Sequence, residues 1–347
     1  MNALSYCEAI NLALTEEMES DPKVFVFGIG VPDHKRIFGS TNGLVEKFGT
    51  DRCFDTPIAE DSMTGFALGA ALAGFKPIHT HIRVDFLLLA LNQIGNLISS
   101  FCYGTAGKTS VPLVIRAVIG RGWGQGYQHS KSLHSTFAHF PGLKVVAPTT
   151  VADAYHLTRS AIQDPNPVLV LEHRWLYWQT GELNPSNYDK NLGVSRILLH
   201  GNDLSVIATS WMNIEALQAA NILEELHGIH IEVVDPRTFS PMDFSIMADS
   251  VKRTGHCIVA DNDWVFCGLS AEIAAALSER CFAELKSPIE RIGFLHVPCP
   301  TARHLEDEFY PNAFSIVRAV ERKLSLPHRA LDKYKLYSHE NKFKGPF

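Results

Sequence analysis

Asp55-Thr56-Pro57-Ile58-Ala59-Glu60-Asp61-Ser62, running on into Met63-Thr64-Gly65-Phe66-Ala67-Leu68-Gly69-Ala70-Ala71-Leu72-Ala73-Gly74, decides how this chain is read. Pro57 lacks a backbone donor and holds Thr56 in extended geometry, which ends a strand. Gly65, Ala67, Gly69, Ala70, Ala71 and Ala73 then predict a helix almost without bulk. Another backbone or a flat ligand can approach such a helix closely. Glu60 stands where strand hands over to helix. As first-turn acids, Glu60 and Asp61 suit the positive end of the helix dipole. The same position also suits a carboxyl that works on a ligand.

Working outward, strand and helix keep alternating. Ser5-x-x-Glu8 forms a capping box ahead of Ile10, Leu12, Leu14 and Met18, so a helix opens the chain, and Asp21-Pro22 stops it. Lys23 to Gly28, KVFVFG, predicts the first buried strand. Gly28-Ile29-Gly30 follows, but residue 33 is Asp, so the dinucleotide-binding fingerprint is broken. Further strands are expected over 53–58, 77–82, 111–118, 143–147 and 167–172, with helices over 61–75, 86–103 and 151–162. Near-continuous apolar strands between helices argue for a parallel sheet covered on both faces. Thr180 to Asn191, TGELNPSNYDKN, reads as a linker. A second series follows, with strands over 204–209, 229–234, 257–260 and 289–293 and helices over 213–226, 241–252, 269–281 and 313–324. The expected fold class is α/β: a parallel-sheet domain over 1–179, a linker over 180–199, a smaller α/β domain over 200–326 and a basic, aromatic tail over 327–347.

The 347 residues, 46% hydrophobic and 20% charged, suffice for two cores. A net charge of -6 offers no basic footprint for nucleic acid or an anionic membrane. Seven scattered cysteines without a CxxC pair suggest reduced thiols and a cytoplasmic location. The longest uncharged run, Phe86 to Gly107, is interrupted by Asn92, Gln93, Asn96, Ser99 and Ser100, so a buried helix is expected rather than a membrane span. Ile119 to Ser132, IGRGWGQGYQHSKS, sets Arg121, Trp123, Tyr127 and His129 among glycines, the make-up of a binding loop. His79, His81 and Arg83 alternate onto one strand face, which leaves a metal half-site and an anion contact both open.

The order TPIAE (56–60), GFALGAALAG (65–74), ALNQIGN (90–96), YQHS (127–130), AHFPGLKVVAP (138–148), SAIQDPNPVLVLE (160–172) and VDPRT (234–238) resembles the beta subunit of thiamine-diphosphate-dependent 2-oxo acid dehydrogenases of the pyruvate and branched-chain type. That resemblance implies a transketolase-like pyrimidine-binding domain followed by a transketolase C-terminal-like domain. It implies thiamine diphosphate as cofactor, with the Glu60 carboxyl hydrogen-bonded to the pyrimidine ring to favour its reactive tautomer. Phe86 matches the aromatic residue that packs on the pyrimidine, and Ile58 falls in the same cofactor-binding stretch. His129 matches the histidine on the substrate side, able to donate to a 2-oxo acid or to the acyl unit in transfer. His139 matches a loop-orienting position. Asp164 and Asn166, with carbonyls of Ala161 and Leu113, match a site for a structural monovalent cation, potassium, although an Asx turn explains the same pair.

The chain contains no Gly-Asp-Gly motif followed by an Asn, which in the family binds diphosphate and magnesium. The resemblance therefore implies an alpha subunit that carries this motif and Mg2+, an α2β2 assembly, and a lipoyl acyltransferase as acceptor. Asn262 stands where relatives usually have Glu, and Pro300-Thr301-Ala302-Arg303-His304 replaces a more apolar segment. These departures, with His81 and Arg83 on the substrate side, keep two rival readings open. One is a two-component carboligase or ketol-transferase acting on an aldehyde or sugar-like acceptor; the other is a non-catalytic partner subunit.

Overall fold

Residues 3–33, 35–120, 124–183 and 190–335 are described in this computed structural model. They divide into two units, Met1–Gly120 with Thr136–Leu192, and Arg121–Ser135 with Gly193–Phe347. The expected first domain, 1–179, is thus interrupted, because the segment ending at Ser135 belongs with the second unit. Arg121, Trp123, the centre of the expected linker (184–189) and the tail beyond Lys335 lie outside the described residues.

The first unit contributes six strands in the spatial order Lys144–Val146, Val168–His173, Val114–Ile119, Lys76–His81, Val24–Gly28 and Cys53–Phe54, every neighbouring pair parallel. Val24–Gly28, Val114–Ile119 and Val168–His173 are buried at every residue, as their unbroken apolar runs require of a sheet covered on both faces. Gly28 serves the sheet. With φ at 144°, a β-carbon there would sit 2.2 Å from the Thr80 carbonyl oxygen, so only glycine permits the close pairing. The opening helix, Tyr6–Ser20, carries the expected capping box, with Ser5 N–H donating to Glu8 Oε2 at 2.7 Å. It packs on helix Val151–Gln163, where Arg159 Nε donates to Glu17 Oε1 at 2.7 Å.

The single helix expected over 86–103 is a broken one. Val84–Leu87 is α-helical, Leu88–Ala90 a 3-10 turn, Asn92–Ile98 a π-helix and Phe101–Gly104 α-helical, with a 58° bend between the two halves. The Ser99 hydroxyl donates to the Gly95 carbonyl at 2.8 Å while Ser99 N–H reaches back to Ile94 O at 3.0 Å, so side chain and backbone compete for acceptors and the ladder widens. No single helix among the described residues is long and apolar enough to cross a membrane.

The second unit holds a five-stranded sheet in the order Glu290–Phe294, Cys257–Trp264, Leu204–Ala208, Ile231–Asp235 and Arg196–Leu199, parallel except for the last. Arg196–Leu199 lies in the expected linker; its mixed residues hide a strand that pairs only at the sheet's edge. Helices Met212–His227 and Ala313–Lys323 close one face over a core that includes Leu204, Val206, Ala216, Leu223, Ile258, Ile316 and Val320. The described start of the tail returns to this unit: Leu331 joins that core, Lys333 pairs with Glu225, and Tyr334 Oη donates to Glu225 Oε2 at 2.8 Å.

One buried pair ties the centre of the first sheet. Arg116 donates from Nε to Glu172 Oε1 at 2.6 Å and from Nη2 to Glu172 Oε2 at 2.9 Å, and Tyr177 Oη donates to the same carboxylate at 2.7 Å. Burial alone would lower the Arg116 pKa, but Glu172 raises it above the ordinary value. Arg116→Met strands the Glu172 charge in the core and is expected to cost about 3–5 kcal/mol in a urea titration, whereas Arg116→Met with Glu172→Leu recovers most of that loss. Equal stability of the single variant and the wild type would show that the pair does not hold the sheet.

Candidate active site

Parallel strands all end on one edge, and the expected site residues of the first unit follow those ends. Helix Glu60–Leu72 begins at Glu60, with Ala59 in a non-helical conformation ahead of it. Glu60 is 9% exposed, and among the described residues its carboxylate accepts no hydrogen bond. A carboxylate with so little water and no partner is poised to receive a donor from a ligand. The broken helical segment packs along this helix through Leu88–Ala90 and Asn92–Ile98, where Gln93 Nε2 donates to Asp61 Oδ2 at 3.3 Å. Ile58, two residues before Glu60, is 82% exposed, and Phe86, after the next strand, is 37% exposed.

One turn beyond Glu60, Thr64 is fully buried and its hydroxyl lies 3.4 Å from His79 Nδ1. His79 stacks on Phe27, ring centroids 4.5 Å apart and 6° from parallel, and faces His81 Nε2 at 3.1 Å. The two imidazoles share one hydrogen bond, so they face each other rather than a ligand, and among the described residues no three His, Cys, Asp or Glu side chains gather as metal ligands. Burial pushes His81 down to about 3, and burial followed by His81 puts His79 well below its ordinary value. His81 is thus a neutral core residue in this unit and offers no charge to an anion. Arg83 is buried as well; its guanidinium donates to the Gly120 carbonyl, and its Nε lies 3.9 Å from Asp85 Oδ2. Arg174, which the sequence did not single out, follows the next strand end and stacks over Phe38 at 4.9 Å. Burial, and then Arg83, push Arg174 down to about 10.

The expected cation site is occupied by the protein's own groups. Lys144 pairs with Asp164, Asn166 N–H donates to Asp164 Oδ1 at 2.9 Å, and the Ala161 and Leu113 carbonyls already accept from Asp164 N–H at 3.4 Å and Val168 N–H at 3.0 Å. The geometry is that of an Asx turn closing helix Val151–Gln163, while Asn166 Oδ1 is buried without a partner among the described residues.

His129 belongs to the second unit. It ends the 3-10 turn Gly126–Gln128, half-buried, its N–H donating to Gly126 O at 3.3 Å. His139 is exposed in the first unit. Downstream of His129 lies a cluster that sequence reading missed. His134 is fully buried, with Nε2 at 2.8 Å from Asp261 Oδ1 and 3.9 Å from Asp263 Oδ2. Burial opposes its charge, but the two carboxylates outweigh it and raise the pKa above 6.5. Asp261, despite burial, is held below its ordinary value by His134, whereas burial raises Asp263. The signal available in the sequence was Asp261-Asn262-Asp263 set at the end of an apolar strand.

The transketolase pyrimidine-binding domain family matches residues 2–179 and the transketolase C-terminal domain family residues 193–316. The beta-2 subunit of the mitochondrial pyruvate dehydrogenase E1 component from Oryza sativa subsp. japonica is 38% identical over 91% of this chain and 85% of that protein. The 2-oxoisovalerate dehydrogenase beta subunit of Bacillus subtilis is 37% identical over 92% and 98%. The chain belongs to the transketolase-like beta subunits of 2-oxo acid dehydrogenases. Within that family it also resembles the beta subunit of acetoin:2,6-dichlorophenolindophenol oxidoreductase from Cupriavidus necator, at 37% identity over 92% of the chain and 97% of that protein. A solved split-gene transketolase, described as an inactive beta4 tetramer, shares the fold with a TM-score of 0.73 at 23% identity, over 94% of this chain and all of that one.

The histidines set opposite pH dependences. An unfolded His79 or His81 takes up a proton as pH falls below 6.5, while the folded His81 resists to about 3. From pH 6.5 to 5 the first unit is therefore expected to lose up to about 1.4 kcal/mol per pH unit for each of the two, and His81→Leu to flatten that slope. His134 acts the other way: its raised pKa stabilises fully below 6.5, and that contribution fades as pH rises through the folded value. Urea midpoints across this pH range, for the wild type and His81→Leu, check the first sign; identical slopes would contradict the buried neutral pair.

Proposed function

We propose that this chain is the beta subunit of a two-component thiamine-diphosphate enzyme that decarboxylates a 2-oxo acid and passes the acyl unit to a lipoyl carrier. The observation that carries the reading is Glu60: a nearly buried carboxylate without a partner among the described residues, at the first turn of a small-residue helix. Glu60, Phe86 and Ile58 would hold the pyrimidine half of the cofactor; its other half, the thiazolium ring, would supply the nucleophilic carbon. In this reading Glu60 accepts a hydrogen bond from a ring nitrogen and holds the proton there. Phe86 and Ile58 provide apolar contact for the ring and exclude water. His129 donates to the substrate.

The diphosphate and Mg2+ are assigned to an alpha partner, in an α2β2 assembly. Exposed apolar side chains of the first unit support that assignment: Ile58 at 82%, Leu89 at 62% and Tyr103 at 92%. No role is assigned to potassium. A cytoplasmic location is part of the same reading, supported by seven free cysteines, two of which, Cys53 and Cys257, are pushed by burial to about 11 and about 12. The relatives' names favour this reading over a carboligase or a non-catalytic subunit.

Reconstitution with an alpha-type chain carrying Gly-Asp-Gly and a downstream Asn is the test. Pyruvate and branched 2-oxo acids are assayed by decarboxylation-linked reduction of an artificial acceptor, with and without a lipoyl domain. Glu60→Gln is expected to lower turnover by about 10²–10⁴-fold while the assembly stays intact by sedimentation. Unchanged turnover in Glu60→Gln would remove the cofactor-activating role; acyl transfer that ignores the lipoyl domain would point to the carboligase instead.

A further inference from the structure

His129 is carried by a glycine-rich segment that a sheet-based scaffold does not by itself hold. Yet the described part of this segment is bonded to the second unit at nearly every other residue. Gly126, at φ 64°, approaches Thr301 so closely that a β-carbon would lie 2.7 Å from its Oγ1. Tyr310 Oη donates to the Ser130 carbonyl at 2.7 Å. Asn262 Nδ2 donates to Ser132 Oγ at 3.0 Å. His134 Nε2 meets Asp261 Oδ1 at 2.8 Å, and Ser135 Oγ donates to Asp263 Oδ2 at 2.8 Å. Asp261 is itself fixed, by the Thr209 hydroxyl at 2.7 Å and Ser270 N–H at 3.2 Å.

These bonds share one strand end. Asp261, Asn262 and Asp263 are consecutive, and in a strand successive side chains alternate sides; here all three turn to the same segment, where the pairing with the neighbouring strand shifts register between Ala260 and Trp264. An irregularity next to a site is a device for re-aiming side chains. The charged groups facing His134 are Asp261 and Asp263, and Phe239 packs on its ring at 4.9 Å; the neutral Thr209 and Ser270 bond to Asp261.

We infer that His134, with Asp261 and Asp263, is a positioning latch that clamps the His129 segment onto the second unit and so sets where His129 meets the substrate. The last clause rests on the functional reading above; the clamping itself does not. A buried ion pair broken on one side leaves an uncompensated charge, so the latch is cooperative rather than a sum of weak bonds.

The test compares wild type, Asp261→Asn and Ser135→Ala, the last as a milder break should Asp261→Asn fold poorly. Amide exchange by mass spectrometry on the full chain reads opening of residues 124–135 without any turnover. Asp261→Asn is expected to raise local opening there by about a hundredfold, Ser135→Ala by about tenfold or less, with the sheet strands unchanged. In the reconstituted enzyme the latch predicts a KM for the 2-oxo acid raised at least about tenfold in Asp261→Asn, with thiamine-diphosphate affinity within about twofold of wild type. Unchanged exchange over 124–135, or exchange raised equally throughout the unit, overturns the latch. So does a loosened segment with an unchanged KM in an active enzyme. If the wild type turns over no 2-oxo acid, the functional reading fails and the exchange result alone decides whether the segment is clamped.

Discussion

Parallel pairing governs everything else in the first unit. Each strand must be entered from the same end, so the chain leaves every strand at the opposite, common edge. Glu60 comes shortly after one strand, Arg83 after the next, and Gly120 and Arg174 after two more. Residues more than a hundred positions apart are gathered by topology alone, at the carboxyl ends of strands, where open α/β sheets place their ligands. The Arg116–Glu172 pair, on adjacent central strands, holds the sheet from which that edge is built.

Histidine illustrates how environment assigns function to one residue type. His79 and His81 face each other in an apolar layer, and neither carries charge. His134 is buried as deeply, but it faces two carboxylates that raise its pKa above the ordinary value. Desolvation acts in the same direction on all three; the neighbouring charge decides the outcome. The neutral pair backs the Glu60 helix through Thr64, whereas His134 binds a loop. His129 is half-buried at the end of a 3-10 turn.

Much of the architecture was legible in one dimension. Apolar runs of five or six residues marked the buried strands, and Ser5 and Glu8 marked the first helix start, because both signals act within a few residues. Elements that depend on partners were missed. Arg196–Leu199 is a strand only because Ile231–Asp235 offers it an edge, and the Phe86–Tyr103 helix breaks because Ser99 diverts a carbonyl that periodicity assigns to the backbone. At the site, Glu60 was readable from the strand-turn-helix pattern around it. His79 and His81 share a strand face as expected, but the strand ends at His81 and Arg83 follows it; His81 turns to His79, and Arg83 to the Gly120 carbonyl.

The sequence by itself determined the family, the parallel α/β class and the identity of the acid at position 60, since these follow from local pattern and from blocks of residues in fixed order. Only the tertiary structure decided which side chains are charged, which are engaged, and that the His129 segment belongs to the second unit rather than the first. The reason is physical. A pKa and a hydrogen bond depend on distances of a few ångströms between residues such as His134 and Asp261, which lie far apart along the chain and become neighbours only when it folds.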